Sequence, residues 1–265
     1  MNTRGSQENL LFDHRTLRLI VGSIAFVFPF IVYILAATIT TSISASYYTN
    51  ARDTFVGFLF VIGALLLAYK GHTSKEAWVS LIGWVAAWVA ALFPTACDEC
   101  AADTKSFAHF GGAIILFGTT VYFCLVAFLR RVNDKLSRNE KLANTNASEP
   151  VFEVVRFLRL VKTAVHVYGW KDAWKLQGRK LRRGFTYLIS GLLIAVIMVG
   201  LVFVSFTLPV PTKALKITFY AETLALWLFG VAWMTASQFQ FIRKVRLLLK
   251  LGRPAGWFVR GKQTA

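Results

Sequence analysis

Lysine and arginine are missing from six long stretches of this chain, and that absence decides its class. The stretches are Leu19–Thr40, Thr54–Tyr69, Ala77–Phe93, Phe107–Leu129, Phe185–Thr207 and Ile217–Ser237. Acidic residues are almost as scarce there, Glu222 being the only carboxylate in any of them. At about 1.5 Å of rise per residue, each run covers most or all of a hydrocarbon core about 30 Å thick. The second and third are the shortest and need thinning or snorkelling flanks. Catalytic signatures are lacking too: there is no HExxH, GxSxG, Walker loop or dinucleotide fingerprint. Histidine is sparse at 4 residues, and only His109 lies at the edge of a span, which argues against haem held by paired histidines. No lipidation box follows Met1 and no CaaX sequence precedes the end at Ala265, so no lipid anchor is expected. No internal repeat is evident. What remains is an all-α, polytopic membrane protein with six transmembrane helices.

Charge sets the expected orientation. With the N-terminus cytoplasmic, residues 1–18, 70–76, 130–184 and 238–265 lie inside and hold 26 of the 30 Lys and Arg. The outer loops keep only Arg52, Lys105, Lys213 and Lys216. This is the positive-inside pattern, giving both termini in the cytoplasm. The net charge of +17 is then explained by orientation and by contact with anionic inner-leaflet lipids, not by nucleic acid, for which no motif is present. Ser44-Ala45-Ser46 offers a small-residue cleavage site, but the first apolar run is too long for an ordinary signal peptide and is expected to stay as an anchor.

The organisation follows from these runs. Residues 1–18 form a cytoplasmic N-terminus, 19–130 a four-helix block, 131–184 a basic cytoplasmic segment, 185–240 a transmembrane hairpin and 241–265 a basic tail. Asp134–Pro150, rich in Asn, Ser, Lys and Glu, has the composition of a linker. Val151–Tyr168 has helical periodicity with Val154, Phe157, Leu158, Val161, Ala164, Val165 and Tyr168 on one side. Arg156, Arg159, Lys162 and His166 occupy the other. The pattern suits a helix lying on the inner leaflet, where Arg156, Arg159 and Lys162 meet anionic lipid and Trp170 and Trp174 anchor. Docking of a cytoplasmic protein partner by the same apolar face is the alternative. Leu208-Pro209-Val210-Pro211 makes a stiff outer turn. Cys97 and Cys100, in CDEC, suit a disulfide outside the cytoplasm; free thiols and a metal site with Asp98, Glu99, Asp103 or His109 remain open. Cys124 sits alone in a span as a small core residue.

The topology places an ionisable residue near the outer start of helices two, four and six: Asp53, His109 and Glu222. The loop before helix two adds Ser42, Ser44, Ser46 and Arg52. Together these residues outline an outward-facing pocket for a lipid headgroup or small ligand. Each also has a plainer role. Asp53 suits a helix cap and Arg52 reaches headgroups, while His109, one turn past the candidate cap Ser106, is hydrogen-bonded at the interface. Glu222 is the least ordinary, since a carboxylate inside a span is costly and marks function by default. If Asp53, His109 and Glu222 converge, they suit zinc, which would acidify a bound water to about pH 7 for ester or amide hydrolysis. In that case the serine hydroxyls and Arg52 would stabilise developing negative charge. A third reading is a small proton-coupled carrier using Glu222.

Three segments carry a resemblance: SISASYYTNARDTFVG over Ser42–Gly57, FPT over Phe93–Thr95 followed by HFGGA from His109, and AETLALWLFGVAW over Ala221–Trp233. The pattern resembles a group of bacterial six-helix membrane proteins, and more distantly is similar to the Frag1/DRAM/Sfk1-like membrane proteins. It covers roughly residues 40–130 and 185–240, and implies a six-helix fold in a bacterial inner membrane without implying an activity. A looser similarity is to membrane hydrolases that include alkaline ceramidases, which use Ser, Asp and three histidines around zinc. The chain lacks the late paired histidines of that pattern.

Overall fold

The computed structural model describes residues 14–69, 71–96, 103–138, 152–207 and 216–237. Cys97, Cys100, the turn at 208–211 and the basic tail lie outside the described residues, as does most of the 134–150 segment. The described residues form helices and contain no strand. In chain order they are α1 (His14–Ala36), α2 (Arg52–Ala68), α3 (Ser74–Leu92), α4 (Thr104–Tyr122), α5 (Leu129–Ser137), α6 (Glu153–Tyr168), α7 (Trp170–Thr207) and α8 (Ile217–Ser237). Among the described residues, five helices are long and apolar enough to cross a membrane: Thr16–Ala36, Ser74–Leu92, Thr104–Ser137, Trp170–Val204 and Ile217–Ser237. The remaining apolar helix, α2, has 17 residues and a length of about 26 Å.

Local sequence explains where several helices begin. Thr73 caps α3, its side chain accepting the Glu76 N–H, while Glu76 Oε2 reaches back to the His72 N–H at 3.0 Å. This Thr-x-x-Glu arrangement is a capping box displaced by one residue. Asp103 caps α4 by accepting from both the Ser106 N–H at 2.8 Å and the Ser106 hydroxyl at 2.7 Å. Between α4 and α5 the helix continues without a break through a π-helical turn at Phe123–Phe128. Phe123, Cys124, Ala127 and Phe128 of this turn are all buried in the core.

The six apolar helices close into a ring. Each packs on its neighbour in the order α1, α2, α3, α4, α7, α8, and α8 returns to α1 in the most extensive of these contacts. Gly22 of α1 and Gly230 of α8 make that last crossing possible. A Cβ on either would lie 2.8 Å from the carbonyl oxygen of the other. Half the ring is plugged by aromatic rings around Trp233, whose centroid lies 5.3 Å from Phe123, 5.5 Å from Tyr69 and 5.2 Å from Phe229. The outer surface is apolar, with Ile34 and Val199 each 69% exposed. Such a belt fits a hydrocarbon surround and not water.

Cations gather at one end of the ring. Among the described residues, the opposite end carries only Arg52, Lys105 and Lys216. At the basic end α7, 38 residues and about 57 Å long, runs past the ring and packs against α6.

Three expectations from sequence change here. The linker does not begin at Asp134, because α5 continues to Ser137 with Val132, Asn133 and Leu136 buried. The apolar stripe of the 151–168 helix does not lie free for the membrane surface, since Phe157, Leu160 and Ala164 are buried against α5 and α7. Leu158, assigned to that stripe, is exposed instead. Arg156 pairs with Asp134 at 3.1 Å and Trp174 stacks on Phe185, whereas Arg159, Lys162 and Trp170 point to the surroundings. Finally, α4 is capped by Asp103 and not by Ser106.

Candidate functional site

The ring encloses a cavity of about 480 Å³ that runs from the end bearing Ser44, His109 and Glu222 to Trp233. That is within the range of ligand sites, roughly 300–1,000 Å³. Its walls are mainly apolar side chains of α1, α2, α4, α7 and α8, and Trp233 and Phe123 form its floor. Ser44, His109 and Glu222 also line it.

His109 is positioned by the close approach of α4 to α3, where a Cβ on Gly112 would lie 2.9 Å from the Ala86 carbonyl oxygen. Its Nδ1 then lies 2.8 Å from Ala90 O and 2.9 Å from Phe93 O, the carbonyls left over at the end of α3. Pro94 follows, so the chain cannot satisfy them by continuing the helix. Two carbonyl acceptors require the proton on Nδ1, leaving Nε2 as an acceptor. Nε2 is buried and makes no hydrogen bond, on a residue only 1% exposed.

Glu222 is a clamp on the segment between α1 and α2. Its Oε2 accepts the Ile43 N–H at 2.6 Å, and the Ser44 amide also donates to the carboxylate. These amides open the short 3-10 turn Ser44–Tyr48, and one turn earlier the Phe219 N–H donates to Thr41 O at 3.1 Å. A carboxylate satisfied by backbone donors accounts for the one acid in the apolar runs.

The other expected site residues have local duties. Ser42 Oγ accepts the Ala45 N–H at 2.9 Å, and the buried Ser46 hydroxyl donates to Ile43 O. Arg52 donates to the Tyr47 hydroxyl at 2.8 Å and lies over the Tyr47 ring, on the surface. Asp53 is exposed in the first turn of α2 and does not line the cavity. Asp53, His109 and Glu222 therefore share an end of the ring without forming a ligand set. Among the described residues no three His, Cys, Asp or Glu side chains lie where they would hold a metal ion. His109 makes no pair with a serine among the described residues, because its Nε2 has no partner.

Beside the cavity, the loop end of the ring is tied by Tyr48, whose hydroxyl donates to Thr95 O at 2.5 Å. Burial, then the nearby Asp103 carboxylate, raises the Tyr48 pKa. The Ser106 hydroxyl and then its amide hold the Asp103 carboxyl below the ordinary range.

Sequence reasoning missed Trp233. Its Nε1 is buried without a partner at the cavity floor, about 16 Å further along α8 than Glu222. Within a mainly apolar run a tryptophan gives no signal that it lines a cavity. Phe107, Phe110 and Ile114 of α4 and Val202 of α7, all exposed, line the cavity on the side between these two helices. Nearer the basic end the same two chain segments close up, where a Cβ on Gly191 would meet Leu125 at 2.5 Å. Compared with known proteins, the chain matches no family model, no curated protein and no solved structure.

Proposed function

We propose that this chain is a six-span protein of a bacterial inner membrane, with both termini cytoplasmic, that binds one lipid-like molecule in its lumen. The observation that carries the reading is an apolar cavity with one buried, unpartnered acceptor, His109 Nε2. A long-chain molecule with a hydroxyl or protonated carboxyl end satisfies it: the polar end donates to Nε2 and the chain runs towards Trp233. Entry is lateral, through the gap between α4 and α7, so the ligand never crosses water. The excess of Lys and Arg at one end supports the orientation, and α2 supplies the sixth span with a modest thinning of the bilayer. The resemblance of its motifs to those of bacterial six-helix membrane proteins supports the location.

The zinc-hydrolase reading is not favoured, since Asp53 does not line the cavity with His109 and Glu222. A carrier is not favoured, since the aromatic plug around Trp233 blocks the lumen towards the basic end. Native mass spectrometry of the delipidated protein with hexadecanol and with hexadecane tests the reading. Wild type should retain the alcohol in preference to the alkane by about tenfold, the value of one hydrogen bond to a buried group. His109→Phe should erase the preference, and Leu226→Trp should abolish retention of both. Equal retention of the two probes by wild type, or unchanged retention in Leu226→Trp, overturns it.

A further inference from the structure

A second site lies at the basic end, on residues that the lumen does not use. Arg18 of α1, Arg131 and Lys135 of α5, and Lys180 and Arg183 of α7 line one small cleft floored by Phe128. No carboxylate among the described residues lines it. Its volume is about 30 Å³, so a larger anion would sit at its mouth with only part of its oxygens inside.

Both arginines keep buried N–H groups without a partner. Arg18 is 5% exposed; it donates from Nη1 to the Ala236 carbonyl at 3.1 Å and also bonds Tyr69, while its Nε is buried without a partner. Arg131 gives Nη2 to Glu76 and to the Tyr69 hydroxyl, while its Nε and Nη1 are both buried and unpartnered. Glu76, the acid that meets this group, is already divided between Arg131 and the His72 N–H. Lys180 reaches over the cleft to donate to Lys135 O at 2.9 Å. Several cations facing one apolar-floored space, with buried N–H groups unsatisfied, cost free energy unless an anion fills it.

We infer that this cleft binds a phosphate group. A tetrahedral anion offers oxygens in several directions at once, which matches donors arriving from α1, α5 and α7. A carboxylate offers acceptors in one plane only. Arginine is the side chain suited to such contacts. The depth also fits a phospholipid headgroup: Arg18 immediately precedes the apolar run of α1, and Arg183 stands two residues before that of α7. Basic pockets between helices at a membrane face bind anionic headgroups by this chemistry. The phosphate is therefore that of an anionic phospholipid or free phosphate. Either would join α1, α5 and α7 at the point where their cations converge.

The test uses the full chain in nanodiscs of phosphatidylcholine with a minor fraction of phosphatidylglycerol, followed by native mass spectrometry of retained lipid. In parallel, inorganic phosphate is titrated against the detergent-purified protein while the unfolding midpoint is followed. Preferential retention of phosphatidylglycerol with no response to phosphate identifies the lipid source, and a saturable rise in midpoint without lipid preference identifies the free anion. In either case Lys180→Gln and Arg183→Gln, both at partly exposed positions, should each weaken the effect by about tenfold, the value of one charge-assisted hydrogen bond. Arg159→Gln and Lys162→Gln remove equal charge from α6 away from the cleft and should leave it unchanged. Absence of both responses in wild type, or equal losses in the α6 variants, overturns the site.

Discussion

Replacing Glu76 by glutamine removes one charge from the basic end and little else. The amide side chain would keep the length of the original and an oxygen for the His72 N–H, so the start of α3 stays capped. What goes is the partner of Arg131 Nη2, in a carboxylate that is 1% exposed. The Arg131 guanidinium then stays among Tyr69, Phe128 and Arg18 with no acid beside it. Breaking a buried pair from one side costs about 3–5 kcal/mol. The lower bound is the better guide here, because the amide oxygen still accepts a weaker bond and Arg131 is 19% exposed. An expected loss of about 3 kcal/mol is large against a typical total of 5–15 kcal/mol. Unfolding titrations in bicelles, with anionic lipid and phosphate left out, measure it directly. Arg131→Met should cost a similar amount by orphaning Glu76, and the double variant should be less damaged than the sum by about 2 kcal/mol. Additivity within about 0.5 kcal/mol would show that the two side chains do not depend on one another and would refute the reasoning.

Further expectations concern other parts of the fold. Gly230→Ala places a methyl group against the Gly22 carbonyl of α1, a backbone atom that cannot swing aside, and should lower stability by about 1–3 kcal/mol in the same titration. Thr73→Ala removes the side-chain cap of α3 and should cost about 1 kcal/mol. Asp103 has a folded pKa below its unfolded value, so its contribution is complete above the ordinary carboxylate pKa and is lost as pH falls through the folded one. The unfolding midpoint of wild type should therefore fall more steeply than that of Asp103→Asn as the medium is acidified below about pH 4. Parallel curves would remove Asp103 from the account.

The spans were legible because burial in hydrocarbon forbids charge, and no lysine or arginine interrupts the runs; the nearest cation to the first of them, Arg18, sits one residue before Leu19. Helix rotation was not legible. The 151–168 helix shows this: its 3.6-residue pattern announced an apolar face, but a face built for α5 and α7 has the same composition as one built for lipid. Likewise Glu222 stood out as a lone acid, while its partners are amides 179 and 178 positions earlier in the chain, which carry no side-chain signature. Ser44, His109 and Glu222 do meet around one cavity. Asp53 and Arg52 were placed with them because they share a depth, and depth says nothing about which way a side chain turns around the helix axis.

The glycine crossing of α1 and α8 also has a meaning in time. These two helices leave the ribosome about 200 residues apart, an interval of roughly 10–40 s at ordinary elongation rates. Throughout it, the Gly22 face of α1 has no α8 to receive it, and the lumen lacks a wall. The ring is thus completed by the helix made last among those described, and a nascent chain halted before Gly230 would present an open groove to surrounding lipid and to any insertion chaperone. Quality control has a simple criterion to read: whether the groove along α1 has been covered.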